Sequence, residues 1–276
     1  MQSSFSGFTS SQPDRLFVEF RDVVRAVGER DWNEHVLTEL IDLLVTPGTV
    51  CVDCGANAGK HTLTMAKRVA ESGRVFAFEP NPAMCQRIRD RLQNAGYEGR
   101  VSVMEMAVGD REGEVDFNIV VDRPALSRID TSSLADEWET RTVVVPIKPL
   151  DAALPTDVRP SFIKIDVEGH EWAVLRGAAE TIRRAQPVVF FEANLVAGVD
   201  AGHYTTDELF GFLDELRYDL FSAFGQRITR ERFRRPLPTN HFAIPASRSA
   251  TALEALHCAS LKVVANACAQ AARGTT

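Results

Sequence analysis

Short apolar runs alternate with longer segments in which apolar residues recur at helical spacing through most of the 276-residue chain. The runs at 49–54 and 74–79 are each followed by a helical pattern, at 59–71 and 82–95, and a third run follows at 101–106. Strands that alternate with helices at this spacing form βαβ units, in which the strands run parallel. The first half of the chain therefore predicts a parallel sheet with helices packed against it.

The alternation is interrupted once and then resumes. Two strand-like segments, 114–121 and 142–147, have a polar, Ser-rich stretch between them, which predicts a β insertion or lid at about 112–148. A final strand-like pair near 217–223 and 241–245 predicts an antiparallel closure of the sheet. Between the insertion and this pair, the pattern predicts strands 161–166 and 187–192 and helices 170–184 and 206–216.

The ends of the chain differ from this central region. The Ser- and Gly-rich start predicts disorder, and two helical patterns follow at about 15–28 and 33–45. The Ala-rich tail has apolar residues at helical spacing, which predicts a helix packed on the domain or at a subunit contact. We therefore expect four parts: a disordered 1–12, a helical 13–48, an α/β domain at 49–246 and a C-terminal helix at 250–272.

Composition limits the class of protein and its partners. The chain is 45% hydrophobic and 25% charged, which suffices for one large domain with its own core. The formal net charge of −7 disfavours a nucleic-acid partner, because such proteins carry a basic surface that displaces counterions from phosphate. No apolar run approaches the ~20 residues of a membrane span, and the N-terminus lacks the pattern of a secretory signal. We therefore expect a cytoplasmic protein without a membrane partner.

The sequence contains five cysteines, and Cys51 and Cys54 have the C-x-x-C spacing of redox and zinc sites. Alternation along a strand points side chains three positions apart to opposite faces, and no second Cys or His pair has zinc spacing. We therefore expect buried thiols here, and no disulfide framework.

The turn after the first strand carries the first candidate chemistry. Asp53 ends the strand, and Gly55, Asn57 and Gly59 lead into the helix. A dinucleotide-binding turn would read G-x-G-x-x-G, whose glycines let a pyrophosphate approach the helix N-terminus. Here Asn57 replaces one glycine, and an acid stands where phosphate would be repelled. S-adenosylmethionine suits this acid better, because it carries an ammonium and a sulfonium and no phosphate.

The second strand supplies another acid at the same edge, since ligands of open parallel sheets lie outside the carboxyl ends of the strands. Glu79 stands 24 residues beyond Gly55, about where an acid accepts hydrogen bonds from ribose hydroxyls. Pro80 and Asn81 form a rigid turn after it, whose backbone would line the adenosine pocket. Glu79 and Asp53 are thus both expected to bind one ligand.

Five motifs occur in order between about 49 and 192: DCGANAG with His61 and Thr62 behind it, FEPNP, MAVGD, PLD and FIKIDVEGHEWAVLRGA. Together they resemble the FkbM family of S-adenosylmethionine-dependent methyltransferases. The resemblance implies the class I methyltransferase fold, a Rossmann-like, seven-stranded, mostly parallel sheet with helices on both faces. It also adds His61, Thr62, Ala107 and Val108 to the expected cofactor site. Residues 122–141 match no motif of the family, and we expect them to contribute to the choice of substrate.

A second group of candidate residues follows the fourth and fifth parallel strands. Asp166, Glu168 and His170 come after the fourth strand, beside the expected cofactor site, and Glu192 ends the fifth. Crowded acids raise one another's pKa values or recruit a cation. A hydroxyl acceptor must lose its proton during methyl transfer, so His170, Asp166 or Glu168 is the candidate base. Glu192 is expected to bind a substrate hydroxyl or to complete the acidic cluster.

The same acids allow a metal-assisted alternative. Asp166, Glu168 and Glu192 offer oxygen ligands for Mg²⁺, which would bind the substrate hydroxyl and lower its pKa. A single nearby histidine is not enough for zinc. Lys164, within the strand, is expected to pair with an acid if it is buried, and Glu171 either stabilises the helix N-terminus or takes part in function.

Several further polar residues have two interpretations each. The arginines capture a phosphate or an acidic carrier, or they form a solvated hairpin balanced by nearby acids. His203 and Tyr204 reach the substrate or are simply solvated, and Asn240 and His241, close to the arginines, have the same two interpretations as the arginines. These residues are Arg227, Arg230, Arg232, Arg234 and Arg235, together with His203, Tyr204, Asn240 and His241.

The resemblance implies O-methylation, chiefly of a hydroxyl on a sugar or secondary metabolite, and the acceptor is a small molecule that is free, phosphate-linked or carrier-linked. Three alternatives stay open. N-methylation of an amine or amino sugar would use the same fold, and an NAD-dependent enzyme would need a more complete glycine pattern. A non-catalytic scaffold could dimerise through 15–45 and 250–272, although its acidic cluster would then have no role. A homodimer is compatible with each of these functions.

Overall fold

The computed structural model describes residues 32–129, 138–192, 204–223, 225–233 and 240–274. The expected disorder at 1–12, the helix at 15–28, and His203, Arg234 and Arg235 lie outside the described residues. The helices are α1 Trp32–Leu44, α2 Lys60–Val69, α3 Pro82–Ala95, α4 Leu150–Ala153, α5 Glu171–Gly177, α6 Ala179–Ala185, α7 Thr206–Leu216 and α8 Ser249–Gly274. The strands are β1 Val50–Cys54, β2 Arg74–Phe78, β3 Val101–Met104, β4 Ala107–Gly109, β5 Gly113–Val120, β6 Thr140–Pro149, β7 Pro160–Ile165, β8 Val188–Glu192, β9 Tyr218–Ser222, β10 Arg227–Ile228 and β11 Asn240–Pro245.

The central sheet has eight strands in the order β10-β9-β11-β8-β7-β1-β2-β3. Five neighbouring strands, β8, β7, β1, β2 and β3, pair in parallel. Strand β11 lies antiparallel between β8 and β9. This confirms the mostly parallel sheet with its antiparallel closure, which is the class I methyltransferase arrangement. The expected seven strands become eight because the chain reverses after β9 at Gly225, whose φ is 75°, and adds the two-residue edge strand β10.

The insertion forms a second, three-stranded sheet in the order β4-β6-β5. Strands β5 and β6 pair antiparallel from Gly113 opposite Ile147 to Val120 opposite Thr140, as the two strand-like segments predict. The strand predicted at 101–106 ends earlier, at Met104, as β3 of the central sheet. The chain then enters the smaller sheet, where β4 pairs in parallel with β6.

The predicted helix at 170–184 is divided into α5 and α6 at Ala178. The carboxylate of Asp151 accepts hydrogen bonds from the backbone N–H groups of Glu180 (3.0 Å) and Thr181 (2.7 Å) in the first turn of α6. A carboxylate at that place satisfies N–H groups that have no partner within the helix, so a new helix starts there. Asp151 of the PLD motif therefore has a structural role.

The two faces of the central sheet belong to different apolar clusters. Cys51 lies in the cluster that includes α1, α2 and α8, and Cys54 lies in the cluster that includes α5 to α7. Both thiols are free and buried, and burial raises the pKa of Cys51 to about 12. The expectation that strand alternation separates the C-x-x-C pair is confirmed.

The C-terminal helix packs on the domain. Leu256 and Ala259 of α8 are fully buried in the same cluster as Leu37 and Leu40 of α1, and Lys262 forms an ion pair of 3.2 Å with Glu39. Within the described ranges, no helix combines the length and the apolar character needed to cross a bilayer.

Shortening Leu256 to alanine should therefore destabilise the protein by about 3 kcal/mol, because it leaves a cavity between α8 and the sheet. Leu261→Ala on the same helix is the matched control, since this side chain is 59% exposed, and it should change the free energy of unfolding by less than about 0.5 kcal/mol. Urea unfolding of both variants checks this. Equal effects would mean that α8 is not docked.

Candidate functional site

Two adjoining cavities open at the carboxyl ends of the parallel strands. The larger, of about 540 Å³, lies among α1, the turn between β1 and α2, and the ends of β7 and β8. The smaller, of about 50 Å³, lies between the ends of β1 and β2 and the insertion. Five residues line both cavities and form the wall they share: Gly55, Asn57, Ala125, Asp166 and Glu168.

The turn after β1 approaches the end of β7 closely. Gly55 has a φ of 79°, and a Cβ atom added there would lie 1.8 Å from the carbonyl oxygen of Asp166. Asn57 and Gly59 also have positive φ angles, of 46° and 78°, and Gly59 directly precedes α2. Glycine and asparagine tolerate this conformation better than other residues, which explains why they occupy the turn.

Glu79 is buried at the end of β2 and lines the smaller cavity with Pro80. Its two carboxylate oxygens accept hydrogen bonds from the backbone N–H groups of Asn57 (2.7 Å) and Asn81 (2.9 Å). Burial raises the pKa of Glu79 to about 7, and these two hydrogen bonds oppose that effect. Each oxygen has a further lone pair for a ligand hydroxyl. Asn81 does not line either cavity; its side chain accepts from Ala83 N–H at the start of α3.

A buried lysine joins the first turn to the end of β7. Lys164 Nζ lies 3.3 Å from Asp53 Oδ1 and 3.4 Å from Asp166 Oδ2, and it donates a hydrogen bond of 2.9 Å to the carbonyl oxygen of Gly55. The Thr62 hydroxyl donates to Asp53 Oδ2 at 2.6 Å. Burial alone would lower the pKa of Lys164, but Asp53 and Asp166 outweigh it and the pKa is raised.

Asp53 and Thr62 were expected to contact the cofactor, but the structure places both side chains in the interior. Both side chains are 0% exposed, and neither lines the two cavities. Lys164 supplies the cation that compensates the charge of Asp53. This carboxylate therefore positions Lys164 at the wall of the larger cavity and does not face a ligand. The sequence expectation that Lys164 pairs with an acid agrees with these contacts.

The larger cavity has a wall that the sequence did not reveal. Glu34 of α1 lines it together with His61, and Glu34 Oε2 lies 3.0 Å from His61 Nε2 and 3.2 Å from Lys60 Nζ. The hydrogen bond from His61, followed by the charges of His61 and Lys60, lowers the pKa of Glu34 to about 2 against the effect of burial. One acid on a partly exposed helix carries no pattern that distinguishes it, so only the fold identifies Glu34.

The three acids expected to act together do meet in space. One carboxylate oxygen from each of Asp166, Glu168 and Glu192 lies within 4.8 Å of the other two. Glu192 lines the larger cavity, whereas Asp166 and Glu168 belong to the shared wall. Burial raises the pKa of Glu168 to about 7, Asp166 adds to this effect, and Arg128 opposes it. Arg128, from the insertion, donates a hydrogen bond of 2.9 Å to Glu168 Oε2.

His170 does not join these acids. It directly precedes α5 and lines neither cavity, and a Cβ atom added at Gly109 would lie 3.2 Å from its Nε2 atom. The ring therefore packs beside β4, away from the place expected of a base. Glu171 is buried and accepts hydrogen bonds from the N–H groups of Val167 (3.0 Å) and Gly169 (3.1 Å). Glu171 thus holds the loop that carries Asp166 and Glu168.

The remaining polar candidates have other contacts. Arg230 pairs with Asp207 (2.9 Å) and Asp214 (3.1 Å), and Arg227 pairs with Asp219, as expected for a balanced hairpin. Tyr204 is buried. Asn240 lines the larger cavity, and His241 is buried and stacks on Phe191 with ring centres 5.8 Å apart.

Comparison with known proteins places this site in a family. The model of the Methyltransferase FkbM domain matches residues 53–220, which is more than half of the chain. The chain belongs to the FkbM methyltransferase family. The match includes the end of β1, β2, the insertion, β7 and β8, and therefore most of the residues that line the two cavities.

Individual relatives are similar to parts of the chain. Hexuronic acid methyltransferase AglP of Haloferax volcanii is 27% identical over 150 residues, which cover 54% of this chain and 56% of AglP. 2-O-methyltransferase NoeI of Sinorhizobium fredii is 31% identical over 80 residues, 29% of this chain and 31% of NoeI. The crystal structure of an FkbM methyltransferase from Methylobacillus flagellatus has a TM-score of 0.46 and 20% identity, over 73% of this chain and 45% of that one. The chain thus spans about half the length of AglP and of that structure.

Membership of the FkbM family implies S-adenosylmethionine as the methyl donor, and the residues present fit it. Glu79 offers buried acceptors for ribose hydroxyls, and Ala107 and Val108 give the smaller cavity apolar walls for adenine. Four carboxylates line the larger cavity, where the cationic end of this donor would lie: Glu34, Asp166, Glu168 and Glu192.

Lys164→Met should destabilise this FkbM protein by about 3–5 kcal/mol, because it leaves the Asp53 carboxylate buried without its cation. The double variant Lys164→Met/Asp53→Asn removes both charges, so it should be at least about 1 kcal/mol more stable than the single variant. Urea unfolding at neutral pH measures both. A double variant that is no more stable than Lys164→Met would show that charge pairing is not what Lys164 provides.

Proposed function

We propose that the chain is an S-adenosylmethionine-dependent O-methyltransferase that acts on a hydroxyl of a sugar or secondary metabolite. The observation that carries this proposal is the wall shared by the two cavities. Methyl transfer needs the nucleophile in line and about 3 Å from the methyl carbon. Adenosine bound in the smaller cavity and an acceptor bound in the larger one would meet at Asp166 and Glu168.

Different residues of the site bind the donor and accept the proton. When bound, the donor supplies an electrophilic methyl group on its sulfonium. Glu79 accepts hydrogen bonds from the ribose, and the carboxylates of the larger cavity attract the positive charges of the donor. The acceptor hydroxyl must lose a proton, and a carboxylate with a pKa near neutrality is suited to receive it. Glu168, whose pKa is raised to about 7, stands at the junction of the cavities with Asp166 and Glu192 beside it.

The names of two relatives support an oxygen acceptor. One is a hexuronic acid methyltransferase and the other a 2-O-methyltransferase. An amine or amino sugar is the alternative acceptor, and the four carboxylates of the larger cavity are the observation that favours it, because they would also bind an ammonium group. Transfer to nitrogen would depend less on a proton acceptor once the amine is neutral.

Mg²⁺ is the alternative use of the three carboxylates. Asp166, Glu168 and Glu192 provide the oxygen ligands this ion prefers. Two of them already have cationic partners, since Lys164 lies 3.4 Å from Asp166 and Arg128 lies 2.9 Å from Glu168. A divalent ion would have to compete with both, so we favour proton acceptance by the carboxylates.

Calorimetry with S-adenosylhomocysteine tests the donor site. The purified protein should bind this product with micromolar affinity, and Glu79→Gln should weaken binding by about tenfold, since hydrogen bonds to a charged group are worth about 1.5–3 kcal/mol. Glu71→Gln is the matched control because its side chain is 93% exposed, and its affinity should equal that of the wild type. Absence of binding to the wild type would refute the proposed function.

Turnover on a panel of neutral sugars, amino sugars and hydroxylated metabolites tests the junction. Glu168→Gln should lower kcat by about a hundredfold, because Glu168 is the proposed proton acceptor at the junction of the cavities. His170→Gln should lose less turnover, since its ring lines neither cavity.

The same assay with EDTA distinguishes proton acceptance by the three carboxylates from binding of Mg²⁺ by them. Activity that survives EDTA supports proton acceptance, and activity that is lost in EDTA and restored by Mg²⁺ supports the metal. Turnover on amines alone would favour N-methylation.

A further inference from the structure

Residues 124–129 of the insertion, here called the insertion strap, form part of the smaller cavity. Pro124, Ala125, Ser127 and Ile129 line that cavity, and Ala125 also lines the larger one. The insertion strap therefore forms one side of the space that the adenosine group of the donor would occupy.

Hydrogen bonds attach the insertion strap to β5. The backbone groups of Asn118 and Arg128 exchange hydrogen bonds of 2.9 and 3.1 Å, and the Asn118 amide donates to the carbonyl oxygen of Ile129 at 3.2 Å. The Thr142 hydroxyl donates to Asn118 Oδ1 at 2.8 Å, and Ser127 Oγ accepts from the N–H of Val120 at 3.1 Å. These bonds attach the insertion strap to β5 of the three-stranded sheet.

One ion pair joins the insertion strap to the loop after β7. Arg128 Nη2 lies 2.9 Å from Glu168 Oε2, and the two side chains are only 10% and 25% exposed. Arg128 Nε donates to the carbonyl oxygen of Leu126 at 3.1 Å, which orients the guanidinium. Partial burial strengthens such a pair relative to one on the surface.

Glu168 itself has an unusual backbone. Its φ is 57°, a left-handed conformation that is unfavourable for residues other than glycine and asparagine. Conformations of this kind persist where the surrounding structure enforces them, and they concentrate at ligand-binding sites. Arg128 and the bonds of Glu171 to Val167 and Gly169 are among the contacts that hold this loop.

We propose that Arg128 is a positioning residue: by binding Glu168, it closes the insertion strap over the donor cavity and aligns the carboxylate at the junction where methyl transfer occurs. This inference rests on the proposed function. It identifies the ion pair as a link between the insertion strap and the loop after β7, whose loss loosens the wall of the donor cavity and speeds release of the product. The insertion thereby controls the donor as well as the acceptor side of the site.

The dissociation rate of S-adenosylhomocysteine tests this inference in the full chain. Arg128→Ala and Glu168→Gln should each raise the rate by about tenfold, and the double variant should be no faster than the faster single variant, because both changes break the same link. Arg128→Lys should give an intermediate rate, since it keeps the charge but lacks the Nε donor that orients the side chain.

Arg141→Ala is the matched control, because Arg141 is an exposed arginine on β6 of the same small sheet, and its rate should equal that of the wild type. Melting temperatures measured alongside separate a loss of folding from a loss of closure, and Arg128→Lys still reports on closure if Arg128→Ala does not fold. Wild-type rates in Arg128→Ala, or additive effects in the double variant, would overturn the inference. Failure of the wild type to bind the product would instead overturn the proposed function.

Discussion

The pairing of Lys164 with Asp53 and Asp166 is the interaction on which the rest of the site depends. An ammonium group buried without partners would be very costly, and here two carboxylates and the carbonyl oxygen of Gly55 compensate it. Strands β1 and β7 are neighbours in the sheet, so this one side chain links the two loops that leave their ends. The absence of a side chain at Gly55 then lets the first loop touch the backbone of Asp166.

Charge balance in the site follows from the same link. Asp166 has its cationic partner from within the sheet, Lys164, whereas Glu168 has its partner from the insertion, Arg128. The junction between the cavities is therefore held from two sides, by the central sheet through Lys164 and by the insertion through Arg128. Glu171 fixes the loop between them through its bonds to Val167 and Gly169.

Local patterns were enough to predict seven of the eight strands of the central sheet, the insertion hairpin and the turn at Gly55, because each depends on periodicity or on a conformation that few residues adopt. The burial of Asp53 was not predictable, since it depends on Lys164 from another strand. Arg128 and Glu168 are 40 positions apart and His61 and Glu34 are 27 apart, so no short motif contains both partners. The sequence also did not reveal that the His170 ring packs beside β4, because β4 lies about 60 positions earlier in the chain.

The distribution of charge also bears on release of the product in the proposed reaction. Glu34, Asp166, Glu168 and Glu192 outnumber the lysines that line the larger cavity, Lys60 and Lys164, and burial makes the ionised form of Glu168 less favourable. A cation at the junction relieves this excess of negative charge. The sulfonium of the donor is positive and the thioether of the product is neutral, so the site attracts the donor more strongly than the product. In the proposed reaction the sulfonium charge is lost with the methyl group and the acceptor's proton passes to Glu168, so the acids no longer hold a cation on the product, which favours its release.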